Sequence, residues 1–187
     1  SGLLQRELPE KTPTAEAFPE LKPLTRFDGS EVPFSWGGRN YVISSCEYST
    51  IYKEKEAKAY YVFGIWEDMN GKRIPVGFSD LKIPKDREGE ARMCLAEAYN
   101  AEPPLPDKFY KAMSVTHSEA FGLDYQYRAK KDPKQFGHLS QLFLAFMYAS
   151  LRDKGIHTIE FKGDMTIRSR DPYGYPTKEY VPKYEQV

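Results

Sequence analysis

The chain has 187 residues, 40% apolar and 14% aromatic, with 14 Tyr and 11 Phe, enough to bury one sizeable core. Its 27 basic and 27 acidic residues cancel, which disfavours nucleic acid as the main partner, since phosphate binding needs a basic excess or a basic face. Two cysteines make neither a disulfide framework nor a CxxC metal site.

Residues 1–39 read as an extended N-terminal arm. Pro9, Pro13, Pro19, Pro23 and Pro33 break any helix and bias the residues before them toward extended geometry. Phe18, Leu21, Leu24 and Phe27 are spaced along it as anchors, and Gly37-Gly38 ends it as a joint. Tyr41 to Tyr52 is rich in Val, Ile, Thr and Tyr and predicts a strand, or two short ones. Ala59 to Trp66 is apolar on both alternating sets, so a strand there is covered on both faces. Asn70-Gly71 signals a type I′ hairpin, and Pro75 places the return strand, Lys72 to Phe78, at an edge or a bulge.

Three helices are predicted. The first runs from Asp86 to about Tyr99, with Ala91, Cys94, Leu95 and Ala98 on one face and Gly89 weakening it. The second covers about Asp107 to Val115. The third, Pro133 to Lys154, carries an apolar stripe through Leu139, Phe143, Phe146 and Leu151 and closes on Gly155. Ile156 to Phe161 and Met165 to Arg168 form a second hairpin. The order of strands, helices and strands predicts an α+β domain over 40–169: an antiparallel sheet of about five strands with about three helices packed on one face. Residues 170–187 form a C-terminal tail with Pro172, Pro176 and Pro182 and no periodicity of either kind.

Few residues point to chemistry. Cys46 with His117 or His138 is the sharpest catalytic pairing. A cysteine nucleophile needs a base in reach and a feature that lowers its pKa, and a mid-strand position supplies neither. His157 alternates with Ile159 and Phe161 toward the core. The histidines are too widely spaced for a compact metal motif. No GxGxxG, Walker loop, GxSxG or HExxH occurs, so no cofactor is expected. The pairs Glu67-Asp68 and Glu88/Glu90 read as surface charge. Arg128, Lys130, Lys131 and Lys134 lead into a helix start and offer an anion site, with a solvated loop as the default. Lys162, Arg168 and Arg170 form a second basic cluster.

The extended ends carry the functional expectation. A proline-stiffened segment with no core of its own is ordered only by another surface, because fixing its backbone costs about 1–2 kcal/mol per residue. Tyr173, Tyr175, Tyr180 and Tyr184 in the tail, with Phe18 and Leu21 in the arm, are therefore the candidate binding residues. They point to a non-catalytic structural or binding subunit that docks onto other protein subunits. The alternatives are a Cys–His hydrolase or effector-type enzyme using Cys46, and an RNA- or ribosome-associated module using the basic clusters. No stretch is long and apolar enough to span a membrane. The lack of a glycosylation sequon favours an intracellular site. The start at Ser1 fits either an organellar protein after removal of a targeting segment or the scar of a cleaved tag.

Overall fold

A computed structural model describes residues 23–51, 57–94, 97–116, 121–128, 131–132 and 139–160, together with the backbone of 165–170 and 176–180. They form one nine-stranded sheet. The strands are β1 (Asp28–Trp36), β2 (Arg39–Tyr48), β3 (Ala57–Met69), β4 (Lys72–Pro84), β5 (Glu90–Met93), β6 (Phe121–Leu123), β7 (Thr158–Glu160), β8 (Met165–Arg170) and β9 (Pro176–Tyr180). Two α-helices accompany them among the described residues: α1 (Asp107–Val115) and α2 (Leu139–Arg152). The spatial order is β1-β2-β3-β4-β5-β7-β8-β9, and β6 pairs with another stretch of β4. All pairings are antiparallel except β5 with β7, so the sheet is mixed.

The expected fold needs three corrections. Among the described residues there are nine strands rather than five, the sheet is not purely antiparallel, and the helices do not share a face. β3 shows why. Tyr61, Phe63 and Ile65 point into a core capped by α2 through Leu139, Phe143, Phe146 and Leu151. Tyr60, Val62 and Trp66 point the other way, into a core capped by α1 through Phe109, Ala112 and Met113. A strand apolar on both faces must be covered twice, and one helix on each side achieves this. Aromatic contacts tie each layer. Phe34 of β1 lies 5.0 Å from Phe146 between ring centroids, and Trp66 meets Phe109 edge-on at 5.4 Å.

The central hairpins follow from local chemistry. Asn70 and Gly71 both take positive φ and turn β3 into β4. Ile65 pairs with Gly77 but Trp66 pairs with Pro75, so Val76 is the extra residue of a bulge. Pro75 thus sits where its missing N–H is tolerated. Gly37 and Gly38, expected as a joint, are the turn between β1 and β2, with φ of 59° and 75°. The last part of the expected arm is therefore an edge strand. Just before it, Leu24 is buried and its N–H donates to Ser150 Oγ of α2 at 2.9 Å.

The helix expected from Asp86 to Tyr99 is a strand, β5, followed by a 3-10 turn over Glu97–Asn100. Gly89 takes a φ of +75° and lies against the His157 ring, which ends any helix before it starts. Ala91 and Met93 then bury at a strand's spacing of two, and Leu81 of β4 pairs with Met93. The α1 helix falls where expected. The described part of α2 begins at Leu139, so its expected start at Pro133 lies outside the described residues; its end is followed by Gly155 at φ +84°. His157 is exposed rather than inward-facing, its Nδ1 lying 2.8 Å from Thr158 Oγ1.

Trp66 folds its indole back over Gly64, so a methyl group at that position collides with the ring. Gly64→Ala is expected to lower stability by about 1–3 kcal/mol through overpacking. Urea unfolding checks this, and an unchanged midpoint contradicts the packing described.

Candidate functional site

The most unusual polar group in the described residues is Asp80. It lies on β4 opposite Val62 and is 0% exposed. Phe78 two residues earlier faces the α1 layer, so strand alternation turns Asp80 into that same layer. A carboxyl group there needs hydrogen bonds, because burying an unpaired one costs several kcal/mol. Three elements provide them. The Tyr48 hydroxyl, at the end of β2, donates to Oδ1. The Ala98 N–H of the 3-10 turn donates to Oδ2 at 2.9 Å. The Cys94 thiol, just past β5, bonds the same carboxyl, and the Cys94 N–H donates to the Asp80 carbonyl at 2.9 Å.

Burial dominates the electrostatics of this cluster. It lifts the Asp80 carboxyl to about 7 against the pull of its three donors, and nearby Glu97 adds to the rise. Burial, then the negative Asp80, push the Tyr48 hydroxyl and the Cys94 thiol well above their ordinary values. The cluster can hold and release one proton near neutrality; it does not generate a thiolate.

Of this cluster, Tyr48 also lines a cleft of about 590 Å³. Tyr48, Thr50, Tyr60, Lys58, Lys85, Glu102 and Pro103 are among its lining residues. The segment that carries Glu102 is bonded to the stretch that follows β2. The Ile51 N–H donates to the Asn100 carbonyl at 2.8 Å, and the Glu102 N–H donates to the Ser49 carbonyl at 2.8 Å. The volume falls in the range of small-molecule sites. The Tyr48 and Tyr60 rings lie 5.2 Å apart, so the cleft wall and the buried carboxyl share one aromatic pair.

Cys46 lies on β2 opposite Val62, 6% exposed and free. Burial raises its thiol above the ordinary value and Lys108 only partly offsets this, the reverse of what a nucleophile requires. His117 and His138 lie outside the described residues, so the expected pairing with Cys46 has no described geometry. Cys94 is buried at the end of a strand rather than on a helix face. Among the described residues, no three His, Cys, Asp or Glu side chains cluster as metal ligands.

Of the candidate binding residues, Tyr180 closes β9, opposite Met165 of β8. Tyr173, Tyr175, Tyr184, Phe18 and Leu21 lie outside the described residues. In the basic cluster, Arg128 Nε donates to the Leu123 carbonyl at 2.8 Å, and Lys131 Nζ stands 6.0 Å from the centre of the Tyr125 ring. Both brace the turn that they flank; Lys130 and Lys134 lie outside the described residues.

Glu67 corrects the expectation of surface charge. Asp68 does pair with Arg73 at the surface, but Glu67 is 4% exposed. Its carboxylate accepts two bonds from Arg39, at 2.7 and 2.8 Å, and one from the Tyr127 hydroxyl at 2.7 Å. Asp80 and Glu67 were missed for related reasons. The return strand expected over Lys72 to Phe78 stops short of Asp80, and Glu67-Asp68 reads as surface charge at a turn. Inward alternation continuing past Phe78 to Asp80 and past Ile65 to Glu67 was the available signal.

Comparison with protein-family models, curated proteins and solved structures returns no match.

Two measurements test these environments. Burial raises the Glu67 carboxyl, but Arg39 and Tyr127 outweigh it and hold the group below its ordinary value. The folded state thus favours the charged form, and the resulting stability is present above about pH 4.5 and lost as pH falls through the folded-state value. Glu67→Gln is expected to lose about 2 kcal/mol at pH 7, discounted for the partial exposure of Arg39, with the difference shrinking in acid. A deficit independent of pH contradicts the ion pair. Ellman's reagent is expected to label Cys46 and Cys94 far more slowly in the native protein than in urea, and rapid native labelling of Cys46 contradicts its buried placement.

Proposed function

We propose that this protein is a structural or binding subunit that docks within a larger protein assembly through the two ends of its chain. One observation carries this: the outer strands of the sheet, β1 and β9, are the strands nearest the two chain ends. Among the described residues each has a sheet partner on one side only. An open edge offers a row of N–H and C=O groups to an incoming strand. Pro33 within β1 and Pro176 at the first position of β9 are of the kind that edge strands tolerate. The tyrosines of the tail supply large contact area with a polar tip. Two buried thiols held in their protonated form fit a structural role. Among the described residues, no helix is long and apolar enough to cross a membrane.

The ends are ordered in part by the chain itself, since Leu24 lies on α2 and β9 on β8. Residues 1–22 and 171–187, which hold Phe18, Leu21 and the four tail tyrosines, are the stretches assigned to partners. Deleting both is expected to leave the melting temperature within a few degrees and to yield a chain that elutes alone. The intact chain, purified from its native source, is expected to elute with stoichiometric protein partners. A shortened chain that still co-purifies at full stoichiometry overturns the proposal.

A further inference from the structure

The two open edges of the sheet are not equivalent, and the hydrogen bonding of β1 shows why. The Glu47 N–H of β2 donates to the carbonyl of Phe27, just before β1, at 2.9 Å. Backbone groups alternate sides along a strand, and β2 pairs with β3 without a register shift, so the odd-numbered residues of β2 all bond toward β1. Among them, Tyr41 stands opposite Phe34 and Ile43 opposite Val32. Phe34 and Val32 therefore turn their N–H and C=O groups inward to β2, while Glu31, Pro33 and Ser35 turn theirs to the open side. Pro33 falls in the middle of that outward row, and its missing N–H is one that an incoming strand needs.

We infer that β1 is closed to strand addition, by other proteins and by second copies of this chain alike, and that Pro33 is the residue that closes it. Three further features of the same edge act in the same sense. Ahead of Glu31 the strand bulges, with Gly29 and Ser30 together opposite Ser45, which twists the edge away from a straight partner. Backbone groups at the bulge are already used: the Ser30 N–H donates to Asp28 Oδ1 at 3.0 Å, and the Gly29 carbonyl accepts from Lys108 Nζ at 2.6 Å. Charge lies beyond it, where Glu31 pairs with Arg73 at 3.2 Å and with Lys108 at 3.9 Å. Proline, a bulge and charged side chains are the devices by which exposed edges avoid pairing. On β9 the proline is the first residue instead, and residues 177–180 follow with an N–H at every position. The inference stands without the assembly reading. Where both hold, a partner strand adds at β9, and the N-terminal end docks through side chains rather than through the backbone of β1.

Pro33→Thr restores the outward N–H with a polar, strand-forming side chain. In sedimentation velocity the intact chain carrying it is expected to self-associate at a concentration about tenfold lower than the natural chain, the factor that one regained hydrogen bond brings. Adding Ser35→Pro returns a proline to the outward row, and the double variant is expected to behave as the natural chain does. Equal association of Pro33→Thr and the natural chain overturns the inference, and so does association of Pro33→Thr that survives Ser35→Pro.

Hydrogen exchange of the natural chain gives a readout that needs no variant. The Glu31 and Ser35 amides are expected to exchange fast at every protein concentration, while those of Val32 and Phe34 are protected by β2. Protection of Glu31 and Ser35 in the natural chain overturns the inference. Protection that appears only in Pro33→Thr, and grows with its concentration, supports it.

Discussion

Double burial of β3 is the constraint on which the rest of the structure depends. Tyr61, Phe63 and Ile65 need cover on one side while Tyr60, Val62 and Trp66 need it on the other. A sheet with one wet face leaves three large apolar side chains in water, at about 1.5–3 kcal/mol each. The chain resolves this by sending α1 and α2 to opposite faces. Once that is done, both faces of β3 and of its neighbour β4 are covered, which is why Glu67 on β3 and Asp80 on β4 end up buried. Their different fates follow from what stands nearby. Glu67 lies at the rim of the α2 layer, where Arg39 reaches it, and it stays charged. Asp80 lies inside the α1 layer with neutral donors, and burial raises its carboxyl well above the ordinary value.

Much of the fold was legible in particular residues. Alternation in β3 showed both covered faces, Asn70-Gly71 gave its hairpin, Pro75 pointed to an edge or a bulge, and the three- and four-residue spacing of Leu139 to Leu151 gave α2. The single-faced helix packing contradicted the first of these signals and was wrong for that reason. The segment from Asp86 to Tyr99 misled because Ala91, Cys94 and Ala98 fit a helical stripe. Pairing of Met93 with Leu81 and the positive φ of Gly89 are tertiary facts that local propensity does not carry. Besides β5 and the three-residue β6, strand count failed at the two ends, where β1 lay hidden in a proline-bearing arm and β9 in a tail without periodicity. Edge strands pack weakly and so leave weak patterns.

The site was less legible than the fold. Sequence reasoning favours residues that are chemically loud, such as Cys46 and the histidines, and the structure seals Cys46 inside a layer. The groups with perturbed chemistry are ordinary acids whose burial depends on partners far along the chain: Tyr48 lies 32 residues from Asp80 and Tyr127 lies 60 from Glu67. Such pairings arise from the order of the strands, which is the least local property of a sheet.

Hydroxyl-radical footprinting of the native protein is the most direct test of the two-sided layer. Tyr60 and Trp66 report on the α1 face, and Tyr61 and Phe63 on the α2 face. The account predicts that both pairs are oxidised slowly, and equally so relative to the unfolded chain. Fast oxidation confined to one pair shows a face open to solvent and contradicts it.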